Sequence, residues 1–226
     1  MSLAKRILKF YRGLPSDLDL PKGIELIYPF NQAEVKKLMS SFYTKYYSDD
    51  KPRVFLWGIN PGRFGAGITG IPFTDPKMLE ERCGISNGFD KRFELSSVFI
   101  YDLIERMGGP KAFYSKYYIS SLCPLGFIKQ GKNYNYYDDK SLFESVYNFM
   151  IHSIEHQLSF QEIHKSALSL GKGKNLKIFK DLNEKFNWFD RIESLPHPRW
   201  VMQYQKKNYE EHMSSIIDTL DRAYDF

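Results

Sequence analysis

Arg53-Val54-Phe55-Leu56-Trp57-Gly58-Ile59 runs straight into Asn60-Pro61-Gly62. From Val54 to Ile59 odd and even positions alike carry no polar side chain, so a strand here is covered on both faces, as in a parallel sheet packed between helices. The rest of the chain is read outward from this strand. Upstream, Asn31 with Glu34 forms a capping-box pattern that opens a helix to about residue 47, and 48–52 stop it. Downstream comes a glycine-rich loop over 60–76. A helix then runs from Ser96 through Val98, Ile100, Leu103 and Ile104 to Met107, closed by Gly108-Gly109-Pro110. A second strand covers 117–123 and ends at Pro124, and a tyrosine-rich loop covers 126–137. Asp139 opens a helix to about 158, with Leu142, Phe143, Val146, Phe149, Met150 and Ser153 on one face. A third strand (165–170) leads through Gly171-Lys172-Gly173-Lys174 into a helix ending near 187. A fourth strand (191–195), a loop (196–205) and a final helix (206–224) complete the chain.

Strands alternating with helices predict one α/β domain over 1–226. It is a three-layer α/β/α sandwich around a short, mainly parallel four-stranded sheet, with 1–50 as a helical extension packed on it. In such sheets ligands bind beyond the carboxyl ends of the strands, here at Asn60, Cys123, Gly171 and Pro196.

Composition narrows the class. Of 226 residues, 42% are hydrophobic and 16% aromatic, enough apolar surface to offset chain entropy, which excludes a disordered chain. Fifteen Gly and 11 Pro without a repeat exclude a fibrous protein. The net charge of +5 permits a polyanionic partner without requiring one. Cys83 and Cys123 cannot build a disulfide framework, so a reducing, cytoplasmic setting is expected. The basic, amphipathic start (Leu3, Ile7, Leu8 and Phe10 against Lys5, Arg6 and Lys9) reads as a surface helix, not as a leader. No membrane span and no obligate protein partner are expected.

Three motifs carry less than they promise. Gly65-Ala66-Gly67-Ile68-Thr69-Gly70 satisfies G-x-G-x-x-G, but the strand ends about six residues too early and Pro72 stands where the helix should run. The glycines read better as a loop whose backbone approaches a ligand. His152-Ser153-Ile154-Glu155-His156 satisfies H-x-x-E-H, yet His152 and Glu155 lie off the apolar face of their helix and no third ligand is evident. Gly171-Lys172-Gly173-Lys174 lacks the remainder of a P-loop. It stands either as a phosphate contact at a helix N-terminus or as a plain turn.

Two loops remain. An Asn at a strand end before Pro-Gly is held rigidly at the sheet rim, where its amide can orient a water. His197, between Pro196 and Pro198 after the last strand, is fixed by its backbone and disfavoured as a core position. With their surroundings these residues resemble the uracil-DNA glycosylase superfamily, most of all its single-strand-selective monofunctional family. The family's G-M-N-P-G-P-F-G-M, then Q-T-G-V-P-F, is matched in register by Gly58-Ile59-Asn60-Pro61-Gly62-Arg63-Phe64-Gly65-Ala66, then Ile68-Thr69-Gly70-Ile71-Pro72-Phe73. Leu122-Cys123-Pro124-Leu125 matches the end of N-x-C-P-L, and His197-Pro198 the opening of H-P-S-P-R. The anchors span about 54–199, and no motif covers the first 50 residues.

The resemblance implies a monofunctional DNA glycosylase of base excision repair, without metal or cofactor, whose partner is DNA holding uracil or another deaminated base. The target nucleotide is flipped into a pocket. Asn60 takes the place of the catalytic asparagine that positions water, and His197 that of the histidine donating to uracil O2. Phe73 takes the place of the base-stacking phenylalanine, although core packing is its other reading. Ile59, Gly62, Phe64 and Ser121 complete the implied base pocket, Gly62 leaving room beside pyrimidine C5. Arg63, Gly65, Lys172, Lys174, Arg199, Trp200 and Met202 are the implied DNA contacts.

Two departures alter the expectation. Ser121 stands where the family reads the base with an Asn, and a hydroxyl cannot reproduce an amide's paired donor and acceptor, so a broader base range is expected. After His197-Pro198 the chain goes directly to Arg199-Trp200-Val201-Met202, so the segment that wedges into the duplex is reshaped. Trp200 either fills the vacated stack or anchors the loop. The competing function is a module that binds damaged or single-stranded DNA without cutting it.

Overall fold

The computed structural model describes residues 1–92, 94–161 and 164–226. The elements in order are α1 (Leu3–Arg12), β1 (Ile24–Ile27), α2 (Ala33–Tyr46), β2 (Val54–Gly58), α3 (Ala66–Thr69), α4 (Pro76–Glu81), α5 (Leu95–Arg106), α6 (Gly109–Tyr114) and β3 (Tyr117–Ser121). There follow β4 (Gly126–Lys129), β5 (Lys132–Tyr134), α7 (Lys140–Leu158), β6 (Ser166–Leu170), α8 (Lys174–Phe186), β7 (Arg191–Leu195), α9 (Pro198–Tyr204) and α10 (Tyr209–Asp225).

The main sheet has the order β3-β2-β6-β7 and every pairing in it is parallel. Every residue of β2, β3 and β6 is buried, as the uninterrupted apolar run around Val54 requires of a strand covered on both faces. From β2 the chain crosses to β3 on one side, and from β6 it crosses to β7 on the other. Right-handed crossovers in opposite directions place their helices on opposite faces of the sheet. They also leave a crevice above the ends of β2 and β6, where the order reverses.

Three local expectations are corrected. The tyrosine-rich stretch 126–137 is not a loop. It contains the hairpin β4–β5, which joins β1 in a second, antiparallel sheet of order β1-β4-β5. Gln130 and Gly131 both have positive φ (51° and 69°), as a two-residue hairpin turn of the primed type requires. The first 50 residues are therefore not purely helical. The stretch after His197 is likewise not a loop but α9, with His197 as its N-cap. Finally, the capping box at α2 does not form: the Glu34 carboxylate accepts from the backbone N–H of Gly88 instead (2.7 Å).

The two weaker motifs take up structural positions. His152 and Glu155 are exposed on α7, and the His156 ring packs edge-on against Phe10 of α1 (5.3 Å). The glycine-rich Gly65–Gly70 stretch forms the single turn α3, which ends at Gly70 in a left-handed conformation. No helix among the described residues is long and apolar enough to cross a membrane.

Candidate active site

Two cavities open side by side at the carboxyl ends of the parallel strands. The first, of about 310 Å3, is lined by Ile59, Asn60, Pro61, Gly62, Ala66, Pro72, Phe73, Glu94, Ser96, Ser121, Asn133, Asn135, His197 and Arg199. Residues from five separate stretches of chain thus meet in one place, among them the anticipated Asn60 and His197, 137 positions apart in sequence.

Asn60 leaves the end of β2, and its amide is clamped at both ends. Nδ2 donates to the Tyr134 carbonyl (3.2 Å), and Oδ1 accepts the Tyr136 N–H (3.1 Å). Buried side chains close a circuit behind it. The Tyr136 hydroxyl donates to Asn175 Oδ1 (2.8 Å), and Asn175 Nδ2 donates to the Gly58 carbonyl (3.4 Å), two residues before Asn60. The Asn60 amide cannot turn over without placing like groups together, so Oδ1 keeps a fixed direction and a spare lone pair.

His197 is held by the opposite logic. Its Nδ1 accepts the Arg199 N–H (3.2 Å), capping α9. A nitrogen that accepts carries no proton, so the proton of the neutral ring resides on Nε2. Burial, reinforced by the Arg199 charge, lowers the His197 pKa from 6.5 to about 4, which keeps the ring neutral at physiological pH.

The Phe73 and His197 rings stand 6.4 Å apart between centroids, tilted by 51°, across the cavity. Phe73 has φ +52°, a region that bulky side chains rarely adopt. Its ring is pressed on the end of β2: a Cβ on Gly58 would lie 2.8 Å from Phe73 Cε2. Gly62 borders the cavity where a Cβ would meet Asn133 Nδ2 at 3.1 Å and Glu94 Oε1 at 3.4 Å. Ser121, the last residue of β3, is buried.

Sequence reasoning missed Glu94, Ser96, Asn133 and Asn135. Glu94 precedes α5, and its backbone N–H donates to Asp75 Oδ2 (2.8 Å). Its carboxylate lies against Gly65, and burial raises its pKa, with Arg199 opposing and Asp75 reinforcing the rise. Asn133 Oδ1 accepts the Arg63 N–H (3.0 Å). The clue to both asparagines was Gln130-Gly131 between short alternating segments, a hairpin signal that folds them back over Asn60.

The second cavity, of about 410 Å3, shares Ile59 and His197 with the first. It is lined further by Tyr137, Gly171, Lys172, Gly173, Lys174, Asn175, Pro196, Trp200 and His212. Lys172 and Lys174 are exposed beside the start of α8, and Trp200 is 43% exposed, its ring edge-on to His212 (5.7 Å).

Not every anticipated residue arrives. Phe64 is 37% exposed and lies outside the cavity, with the Arg63 guanidinium over its ring (4.4 Å). Arg63 itself is folded onto the hairpin turn, donating to the Gly131 carbonyl. An Arg directly before an aromatic can satisfy itself locally, which a linear motif cannot reveal. Met202 packs against the core.

The family model described as Uracil DNA glycosylase superfamily matches residues 44–221. The single-strand selective monofunctional uracil-DNA glycosylases of Rattus norvegicus and Mus musculus are 28% and 26% identical to the chain over 137 residues. That match covers 52% of this chain and 48% of theirs, so the chain spans about half the length of these curated relatives. The crystal structure of wild-type Pedobacter heparinus SMUG2 superposes with a TM-score of 0.95 at 40% identity, covering all of both chains. The chain belongs to the uracil DNA glycosylase superfamily.

Proposed function

We propose that the protein is a monofunctional DNA glycosylase of base excision repair, hydrolysing the N-glycosidic bond of a flipped-out uracil or related deaminated base. The observation that carries this reading is the pairing, in one cavity, of a fixed Asn60 amide with a neutral His197 whose Nε2 holds the proton. Glycosidic cleavage leaves negative charge on the base and an oxocarbenium-like sugar. Nε2–H donates to the base carbonyl oxygen on which that charge develops, a contribution of about 3–4 kcal/mol for one prepositioned donor. Asn60 Oδ1 accepts from the water that attacks the anomeric carbon. The water's second proton is released, and the base departs as its anion, later protonated. The Phe73 ring supplies a π-face for the base.

No lysine lines this cavity among the described residues, which supports hydrolysis without a Schiff base and so without strand cleavage. Lys172, Lys174 and the amides at the start of α8 take phosphates, and the second cavity takes the neighbouring nucleotide.

The test is incubation with oligonucleotides bearing uracil, substituted uracils, hypoxanthine or xanthine, single- and double-stranded, followed by alkali. Alkali-labile product is expected. DNA binding without product from any of these bases would overturn the enzyme reading and leave a binding module.

A further inference from the structure

Three side-chain amides line the first cavity, and two are already engaged. Both ends of the Asn60 amide bond to backbone, and Asn133 Oδ1 accepts the Arg63 N–H. Among the described residues the Asn135 side chain makes no hydrogen bond, yet it lines the cavity together with Ser121.

The Asn135 backbone is fixed from every side. Asn60 bonds the carbonyl of the residue before it and the N–H of the residue after it. The Asn135 N–H donates to Asp138 Oδ2 (2.9 Å), and its carbonyl accepts the Asp138 N–H (3.0 Å). A side chain held by such a backbone is presented to the cavity at little further entropic cost.

We infer that Asn135 is the base-reading residue of this site, its amide pairing with the lactam edge of a deaminated base where Ser121 offers only a hydroxyl. The inference rests on the glycosylase reading above. Uracil, hypoxanthine and xanthine share a ring N–H next to a carbonyl. An amide oxygen accepts from that N–H while the amide nitrogen donates to the carbonyl. The reader has moved from the end of β3 to the segment after β5. Because no neighbour locks the Asn135 amide, it adjusts to pyrimidine and purine lactams alike.

The experiment compares wild type, Asn135→Ala, Ser121→Asn, the double variant and His197→Ala on single-stranded oligonucleotides bearing each of the three bases. kcat and KM are measured separately, and the unfolding midpoint is recorded. Asn135→Ala is expected to lower kcat/KM roughly 10- to 100-fold with an unchanged midpoint, because no backbone bond uses the side chain. The double variant is expected to regain uracil excision but not purine excision, since its amide comes from a buried strand end. Asn135→Ala within twofold of wild type, while His197→Ala is inactive, overturns the inference and leaves the function standing. So does a double variant that regains nothing while Ser121→Asn alone stays active. A wild type that excises none of the three bases overturns the function itself.

Discussion

The backbone N–H of Arg199 donates to Nδ1 of His197 at 3.2 Å, so one nitrogen of the ring caps α9 and the other keeps the proton. The two duties separate by substitution. His197→Asp keeps an N-cap acceptor and removes the donor, so stability should hold while kcat falls roughly 100- to 1000-fold. His197→Ala should show the same loss of turnover and cost about 1 kcal/mol of stability besides. Denaturant unfolding beside single-turnover kinetics reads both; equal stability of the two variants would remove the capping role.

The same residue sets a pH dependence. Its folded-state pKa, about 4, lies below the ordinary 6.5. Between these values the unfolded chain binds the proton and the folded chain does not, so stability falls as pH drops from 6.5 towards 4. This contribution is complete above 6.5, and His197→Asn should flatten that part of the profile. Activity should likewise lack an acid limb near 6.5 arising from His197 and lose its donor geometry only near 4. A kcat limb at 6.5 that disappears in a His197 variant would contradict the lowered pKa.

Asn60 ties the candidate site to the architecture. In Asn60→Asp a carboxylate oxygen would face the Tyr134 carbonyl, replacing a hydrogen bond with repulsion. The expected cost is about 1–3 kcal/mol of stability together with loss of turnover. Unfolding curves that superpose on wild type would show that the clamp is not maintained in solution.

Phosphate contacts should be few. If Lys172, Lys174 and Arg199 each neutralise one phosphate, the logarithm of affinity for single strands should fall against log salt with a slope of roughly −2. Replacing both lysines by alanine should bring it to roughly −0.7. Fluorescence anisotropy across a salt series measures this, and an unchanged slope would place the DNA elsewhere.

Trp200 offers a flat ring at the mouth of the second cavity. Trp200→Ala should lower kcat/KM roughly tenfold on an oligonucleotide with bases flanking the uracil, and much less when the neighbouring nucleotide is abasic. Equal losses on both substrates would mean that Trp200 anchors its helix instead.

The parallel sheet was legible because its strands are buried on both faces, and a run such as Val54–Ile59 has no other use in a chain of this length. The cavity's two poles were legible because Asn60 and His197 sit beside prolines at strand ends, where local sequence alone fixes the backbone. The remainder was not legible for an equally physical reason. Asn135 and Glu94 reach the cavity through long-range contacts: Asn135 over a hairpin whose one local mark is Gln130-Gly131, and Glu94 through the Asp75 bond to the start of α5, which has no local sequence pattern. Phe64 differs the other way: it keeps the register of the motif, yet it stands outside the cavity lining with the Arg63 guanidinium over its ring.

The pairing of β1 with β4 makes the chain's opening stretch a buttress for a cavity built by residues far from it in sequence. β1 braces the hairpin, the hairpin carries the Tyr134 and Tyr136 backbone, and that backbone grips Asn60. A shortened version starting at the first recognisable motif would retain every signature residue and still lose the scaffold that aims them. Whoever trims, tags or grafts this domain should treat Ile24–Ile27 as part of the support of Asn60.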